Sequence, residues 1–208
     1  MNELIFLSLT KEIMKPKNEL HKYLFDFEDN VRFKVFLAIL SISTTIYKKN
    51  KVDHIQTFSI DGLLGVNSFL PRSGKLTFNT IEDIINSLKS PFFETISVDK
   101  KLVSFKLSYK YISEMNKNTG FNKIELKKLK SCRDIKATKL ALIIENHKKG
   151  YLHLNYLLDV LKVPDKKQRK ERIKQIKNAF KSINVDFEYK YPANQNAPVL
   201  EEHYKFYY

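Results

Sequence analysis

The most informative stretch of this chain is DKKQRKERIKQIKNAFKSI, residues Asp165–Ile183. Ile173, Ile176, Phe180 and Ile183 recur at i, i+3, i+7 and i+10, a spacing that predicts a helix with one apolar stripe. Eight of the nineteen residues are Lys or Arg and only two are acidic, so the rest of the circumference is basic. A helix anchored by one edge and charged on the other is suited to the groove of a nucleic acid.

The segments on either side of this helix follow the order of a winged helix–turn–helix. Upstream we expect a helix capped by Ser131, with Asp134 at the third position, that reaches Lys148 and ends at Gly150. A strand at 151–153, a short helix at 155–161 and a turn at Pro164 follow it. Downstream, residues 185–191 and 199–207 are predicted strands around the polar loop PANQNAP, which is typical of a wing.

The same order of elements is predicted over residues 30–107, after a weakly helical lead-in. We expect a helix from Asp29 or Asn30 to Tyr47, a strand at 55–58 and a short helix at 61–64. A helix over NTIEDIINSLKS should follow, with Asn79 as its cap and Glu82 completing a capping box. Residues 92–97 and 102–107 should then form a hairpin. Asn116–Gly120, NKNTG, is the expected linker. The repeat predicts an α+β fold of two tandem winged helix–turn–helix domains, mainly helical with small antiparallel hairpins, divided as 1–118 and 119–208.

The charge distribution supports a polyanionic partner for the second half. Residues 1–120 hold 17 Lys and Arg against 13 Asp and Glu, whereas residues 121–208 hold 20 against 10, within a net charge of +14. A generic lysine-rich solubility surface remains the alternative interpretation of this charge.

Several classes of protein are disfavoured by what the sequence lacks. The single cysteine, Cys132, allows no intramolecular disulfide, so we expect a cytoplasmic protein. No segment has the length of apolar residues that a membrane span needs, and the N-terminus is not a convincing signal peptide. The five histidines form no close pair, cysteines form no cluster and there is no Gly-x-x-x-x-Gly-Lys loop. We therefore expect no metal, no cofactor and no catalytic residue, and hence not an enzyme.

The basic helix supplies most of the expected contacts with double-stranded DNA. Taking the apolar stripe as inward, helical geometry turns outward the residues expected to read bases, namely Lys167, Glu171, Lys174, Gln175 and Asn178. The flanks, where phosphates pass, carry Lys170, Arg172, Lys177 and Lys181. Arg169 falls on the inward side, so either the helix begins near it or its stem packs while its head reaches outward. Further expected contacts are Lys166, Gln168 and Lys190, the wing residues Asn194 and Gln195, and, from the first half, Arg72 and Lys75.

Several segments resemble the plasmid replication initiators with two winged helices, the iteron-binding Rep_3 type. In the second half these are FNKIELKKLKSCRDIKATKLALIIENHKKG, YLHLNYLLDVLKV and KERIKQIKNAFKSIN; in the first half, TFSIDGLLGV and the hairpin to KLSYKYISEM. The resemblance implies binding to origin repeats, with the second module as main reader and the first assisting DNA contact or dimerisation. It also implies a monomer that starts replication, a homodimer that represses its own promoter, and host replication proteins as partners.

Two other functions remain open on the sequence alone. A transcriptional repressor would use the same modules on an operator. A protein-interaction adaptor would use the basic helix to bind an acidic partner or a membrane surface.

Overall fold

The structure is a computed structural model that describes residues 6–64, 69–70, 76–117, 119–191 and 204–208. The chain forms two compact units, Met1–Ser131 and Cys132–Tyr208, which we call unit 1 and unit 2. Each unit contains a three-stranded antiparallel sheet packed with helices.

Unit 1 contains nine helices and strands within its described residues. In chain order they are β1 Phe6–Thr10, α1 Glu19–Leu24, α2 Asn30–Asn50, β2 Gln56–Ser59, α3 Phe78–Asn86, β3 Phe93–Asp99, β4 Leu102–Leu107, α4 Tyr109–Asn116 and β5 Phe121–Glu125. Short 3₁₀ turns occupy Asp61–Leu63 and Leu126–Leu129. The predicted order of residues 30–107 is thus confirmed, with ends shifted by a few residues.

The pairing of β1 with β5 corrects the expected domain boundary at 118/119. The two strands are antiparallel, with Phe6 opposite Glu125 and Thr10 opposite Phe121, and they form a two-stranded sheet. Residues 119–131 therefore belong to unit 1, and NKNTG does not separate the two units. The lead-in contains a strand because Leu7 and Leu9 alternate with less buried residues and are fully buried.

The new boundary also changes the balance of charge. Unit 1 holds 21 Lys and Arg against 14 Asp and Glu, and unit 2 holds 16 against 9, so each carries a net charge of +7. Unit 2 is much the shorter of the two and remains the more densely charged. The contrast between residues 1–120 and 121–208 is not a contrast between the units, because Lys123, Lys127, Lys128 and Lys130 belong to unit 1.

Helix α2 forms the centre of unit 1, as its apolar circumference predicts. Eleven of its residues are buried, including Phe33, Phe36 and Leu40. It packs against β1, and the Ser41 hydroxyl donates to the Phe6 carbonyl at 2.6 Å. Burial on nearly every side means that α2 serves the core and is not available to a ligand.

Helix α3 and the hairpin that follows it are joined by side-chain bonds. Thr77, and not Asn79, caps α3 by accepting from the Thr80 amide at 3.2 Å. Glu82 does not complete a capping box; its carboxylate accepts from the Lys101 amide at 2.8 Å. Lys100 and Lys101 form the two-residue turn between β3 and β4, both with positive φ, which matches the twist of a tight hairpin.

Unit 2 follows the predicted order of a winged helix. Its elements are α5 Ile135–His147, β6 Tyr151–His153, α6 Leu154–Val160, α7 Arg169–Ser182, β7 Glu188–Lys190 and β8 Lys205–Tyr207. The strands expected at 185–191 and 199–207 are shorter, and residues 192–203 lie outside the described residues. Helix α5 ends before Gly150, because Lys148 adopts a positive φ of 64° as its C-cap.

The sheets of the two units have the same connectivity. In unit 1 the strand order is β2-β4-β3, and in unit 2 it is β6-β8-β7. In each unit, a short strand after the long helix pairs with the second strand of the hairpin. This supports the interpretation of the chain as a duplicated winged helix.

Two identical residues in equivalent positions extend the duplication to single side chains. Asp29 caps α2 by accepting from the Arg32 amide at 2.7 Å, and Asp134 caps α5 by accepting from the Ala137 amide at 2.9 Å. The expected cap at Ser131 was wrong, since Asp134 itself holds that role. The two aspartates are 105 positions apart in the sequence.

A buried lysine follows each of these caps at the same spacing. Lys34 is 4% exposed and Lys139 is 1% exposed, again 105 positions apart. The Lys34 ammonium donates to the Lys130 carbonyl at 2.9 Å, and that of Lys139 to the Val160 carbonyl at 3.1 Å. Because Val160 ends α6, Lys139 joins α5 to the turn that leads into α7.

Candidate nucleic-acid interface

Helix α7 is held by the apolar stripe that its sequence predicts. Ile176 and Phe180 are fully buried, and Ala179 beside them is 4% exposed. Ile173 and Ile183, at the two ends of the stripe, are half-buried. The stripe therefore anchors the middle of the helix.

Aromatic rings from the sheet form the surface on which α7 packs. The Phe180 ring centroid lies 4.8 Å from that of Phe187 and 5.6 Å from that of Phe206, with which it is stacked. Helix α7 also packs against α5 and α6. These contacts make α7 the second helix of a helix–turn–helix, with α6 as the supporting helix.

The opposite face of α7 and the segment before it are exposed and basic. Exposed residues are Lys166, Lys167, Gln168, Lys170, Glu171, Lys174, Asn178 and Lys181. The outward orientation expected for Lys167, Glu171, Lys174 and Asn178 is confirmed. Whether these side chains meet bases and phosphates stays a prediction from the sequence.

Gln175 does not project outward as expected. Its side chain is half-buried, and its Oε1 atom accepts a hydrogen bond from the Lys136 ammonium on α5. The bond occupies the amide oxygen that would otherwise be offered to adenine. Helical periodicity alone could not identify this partner, because Lys136 lies 39 positions earlier in the sequence.

Arg169 begins α7, as one of the two expected alternatives requires. Its side chain is half-buried, and its guanidinium carbon lies 4.4 Å from the centre of the Tyr204 ring. Among the described residues its Nε and Nη2 atoms are buried without a hydrogen-bond partner. The head of Arg169 therefore stacks on the sheet and does not reach outward.

Two further cations of α7 are engaged within unit 2. The Lys177 ammonium lies 5.0 Å from the Tyr189 ring centre, and Arg172 Nη1 lies 3.9 Å from Asp165 Oδ1. Tyr189 and Tyr204 are themselves stacked, with ring centroids 5.3 Å apart. The contacts with Tyr189 and Asp165 thus hold Lys177 and Arg172 within unit 2.

The N-terminus of α7 is open, in contrast to that of α5. Gln168 is its N-cap residue and makes no side-chain capping bond. The Glu171 amide donates to the Gln168 carbonyl at 2.9 Å, so only the earlier amides of the first turn are left for a ligand at the positive end of the helix dipole. Together with Lys166, Lys167 and Lys170, this end offers a favourable environment for a phosphate.

Of the remaining predicted contacts, Lys190 lies among the described residues. It is exposed on β7, and its ammonium lies 2.5 Å from the Glu188 carboxylate. That bond raises the pKa of Lys190 above its ordinary value, so the side chain stays charged at neutral pH. The other remaining contacts lie outside the described residues, namely Asn194, Gln195, Arg72 and Lys75.

In unit 1, the helix equivalent to α7 has a different character. The side chain of Asn86 on α3 donates to the Val98 carbonyl at 3.2 Å and accepts from the Val98 amide at 2.9 Å. The Glu82 carboxylate accepts from the Lys101 amide as well, so two polar side chains of α3 are bonded to the hairpin. Reading bases therefore remains an expectation for α7 and not for α3.

The described residues contain no cluster typical of a metal site. Among them, no group of three or more His, Cys, Asp or Glu side chains is arranged to hold a metal ion. No helix within the same residues is both long and apolar enough to span a bilayer.

Comparisons with known proteins identify the fold. No protein-family model matches the sequence, and no curated protein shows significant similarity to it. The structure is similar to that of the Pi initiator protein, solved as a complex with iteron DNA, with a TM-score of 0.58 and 13% sequence identity. The similarity covers 99% of this chain and 97% of that chain. Together with the two matching sheets, it establishes the predicted α+β fold with tandem winged-helix domains.

Proposed function

We propose that this chain is a sequence-specific double-stranded DNA-binding protein that acts as a plasmid replication initiator. It would bind repeated origin sites as a member of the iteron-binding Rep_3 family. The observation that carries the proposal is the exposed basic face of α7 on a helix–turn–helix framework. The end-to-end similarity to an initiator solved with iteron DNA gives independent support.

In this proposal α7 enters the major groove, with its exposed face toward the bases. Lys174 is placed to donate to guanine, Asn178 to pair with adenine and Glu171 to accept from cytosine. Lys166, Lys167 and Lys170 meet phosphates at the open end of the helix, and these contacts set the register of the protein on the duplex.

Binding energy alone would drive the initiation step. Several copies would collect on the repeats, and the deformation of the contacted DNA would help to open a neighbouring AT-rich segment. We propose no catalytic residue and no cofactor, and a cytoplasmic site of action. Unit 1 would assist by touching DNA or by forming a homodimer, and host replication proteins would join the assembly.

Selection from a pool of random duplexes, followed by binding measurements on the selected site, tests sequence specificity. The variant Lys174→Ala with Asn178→Ala removes two proposed base contacts, each worth about 1–3 kcal/mol of discrimination. Its preference for the selected site over random duplex should fall by about 30-fold or more. Lys149→Ala is the matched control, because it removes an exposed charge of unit 2 outside α7. Equal loss of affinity on both duplexes would show that these residues only neutralise phosphate.

A plasmid assay separates the initiator from the repressor. A plasmid with no other origin would carry the gene together with its upstream region. Survival of that plasmid requires initiation, whereas a repressor would only lower expression of a reporter from the same region. Repression without survival would contradict the proposed initiation.

A further inference from the structure

The outer face of the unit 2 sheet carries a pair of exposed tyrosines. Strand residues alternate between faces, and Leu152 and Phe206 point inward, where both are buried. Tyr151 and Tyr207, their neighbours in β6 and β8, are 48% and 37% exposed. The two tyrosines are direct partners in the strand register, and their ring centroids are 5.6 Å apart.

Cationic side chains surround this pair. The Lys205 ammonium lies 4.2 Å from the Tyr151 ring centre, and the Lys190 ammonium lies 5.4 Å from that of Tyr207. His153 packs edge-on against Tyr151 at 5.3 Å. Glu188, on the same face, is the single carboxylate of these three strands and is paired with Lys190. We call Tyr151, Tyr207, Lys190 and Lys205 the tyrosine platform.

The tyrosine platform is separate from the face that packs α7. Phe206 lies beneath Phe180 of α7, whereas Lys205 and Tyr207, on either side of it in β8, point to the opposite side of the sheet. A duplex held by α7 therefore does not need this surface. Lys190, expected from the sequence as a duplex contact, lies on this surface and not on the exposed face of α7.

We propose that the tyrosine platform binds single-stranded DNA, with bases stacked on Tyr151 and Tyr207 and phosphates held by Lys190 and Lys205. Exposed aromatic rings between lysines provide the two contacts that single strands require, stacking and backbone charge. The choice of DNA rests on the proposed function, because an opened origin exposes a single strand beside the bound duplex. One protein would then hold the double-stranded site and part of the melted segment.

The lysines that cover the rings do not prevent stacking. A cation–π contact at an exposed site is weaker than the stacking of a base on an aromatic side chain. Lys205 and Lys190 also extend from the strands on flexible stems. A phosphate would replace the Tyr151 ring face as the partner of Lys205, and the Glu188 carboxylate as the partner of Lys190. In the free protein the two ammonium groups thus occupy the ring faces on which bases would stack.

Fluorescence anisotropy with a labelled oligothymidine tests the proposal on the full chain. The variant Tyr151→Thr with Tyr207→Thr keeps residues suited to strands and removes both rings. Its affinity for oligothymidine should fall by about tenfold for each ring lost, because each ring stacks one base. Tyr109→Thr is the matched control, since Tyr109 is 83% exposed in unit 1 and should leave the affinity unchanged. Duplex affinity should be the same in all three proteins.

Other outcomes overturn the proposal in distinguishable ways. Unchanged oligothymidine affinity in the double variant, or its loss in a Lys166→Ala, Lys167→Ala variant instead, places single-strand binding elsewhere. A change in sedimentation mass without a change in oligothymidine affinity makes the tyrosine platform a contact between copies. A wild-type protein that binds no duplex specifically would refute the proposed function. A wild-type protein that binds its specific duplex but not oligothymidine would refute only this inference.

Discussion

Replacing Lys166 and Lys167 by alanine should make duplex binding less sensitive to salt. Both side chains are exposed and immediately precede the uncapped start of α7, where phosphates are expected. Neither contributes to the buried stripe of the helix, so the variant should keep the stability of the wild type. The change in salt dependence therefore reports on phosphate contacts and not on folding.

The size of the effect follows from counterion release. Each phosphate that a protein neutralises on B-DNA contributes about −0.9 to the slope of log affinity against log salt. Removing two such contacts should make the slope shallower by about 1.8. Over a fourfold rise in salt, the wild type should then lose about 12-fold more affinity than the variant.

Anisotropy of a labelled random duplex across a salt series measures both slopes directly. Lys149→Ala, which removes an exposed charge of unit 2 outside α7, should keep the wild-type slope. A double variant with the wild-type slope would refute the assignment of these lysines to phosphates. If Lys149→Ala changes the slope by as much per charge removed as the double variant does, the effect is only one of net charge.

Three predictions concern the stability of unit 2, measured by urea denaturation. Phe180→Ala should cost about 3–5 kcal/mol, because the fully buried ring anchors α7. Asp134→Ala should cost about 1 kcal/mol, because it removes the cap that accepts from the Ala137 amide. Lys139→Met should change stability by less than about 2 kcal/mol, because the lost bond to the Val160 carbonyl is offset by removal of a buried charge. Lys139→Ala should cost more, because it also leaves a cavity.

Each of these three has a result that would contradict it. A cost below about 1 kcal/mol for Phe180→Ala would mean that α7 is held elsewhere. An Asp134→Ala variant as stable as the wild type would show that the Asp134 cap does not stabilise α5. Equal costs for the Met and Ala variants of Lys139 would show that the ammonium, and not the packing of its stem, dominates at that position.

The local pattern of the sequence was sufficient to predict the winged-helix order. The apolar spacing of α7 and the alternation in β4 are set by neighbouring residues, so periodicity identifies them. The positions of helix ends were less accurate. Ser131 and Asp134 are both good capping residues, and only the folded backbone decides which amide each one reaches.

The features that periodicity missed depend on distant parts of the chain. Strands β1 and β5 pair across more than a hundred positions, and neither has a partner in its own neighbourhood. The bond between Lys136 and Gln175 likewise depends on the packing of α5 against α7. The exposed tyrosine pair required the register of β6 and β8, because the sequence separates Tyr151 from Tyr207. Long-range pairing, and not local propensity, thus defines the domain boundary and the second candidate site.

Acetylation of lysines in free and duplex-bound protein, read by mass spectrometry, shows whether α7 lies on DNA. A specific duplex should protect the exposed lysines of α7 and of the segment before it, namely Lys166, Lys167, Lys170, Lys174 and Lys181. Lys149 should remain reactive in the same sample. If the α7 lysines stay as reactive as in the free protein while lysines elsewhere become protected, α7 does not lie on DNA and the account is wrong.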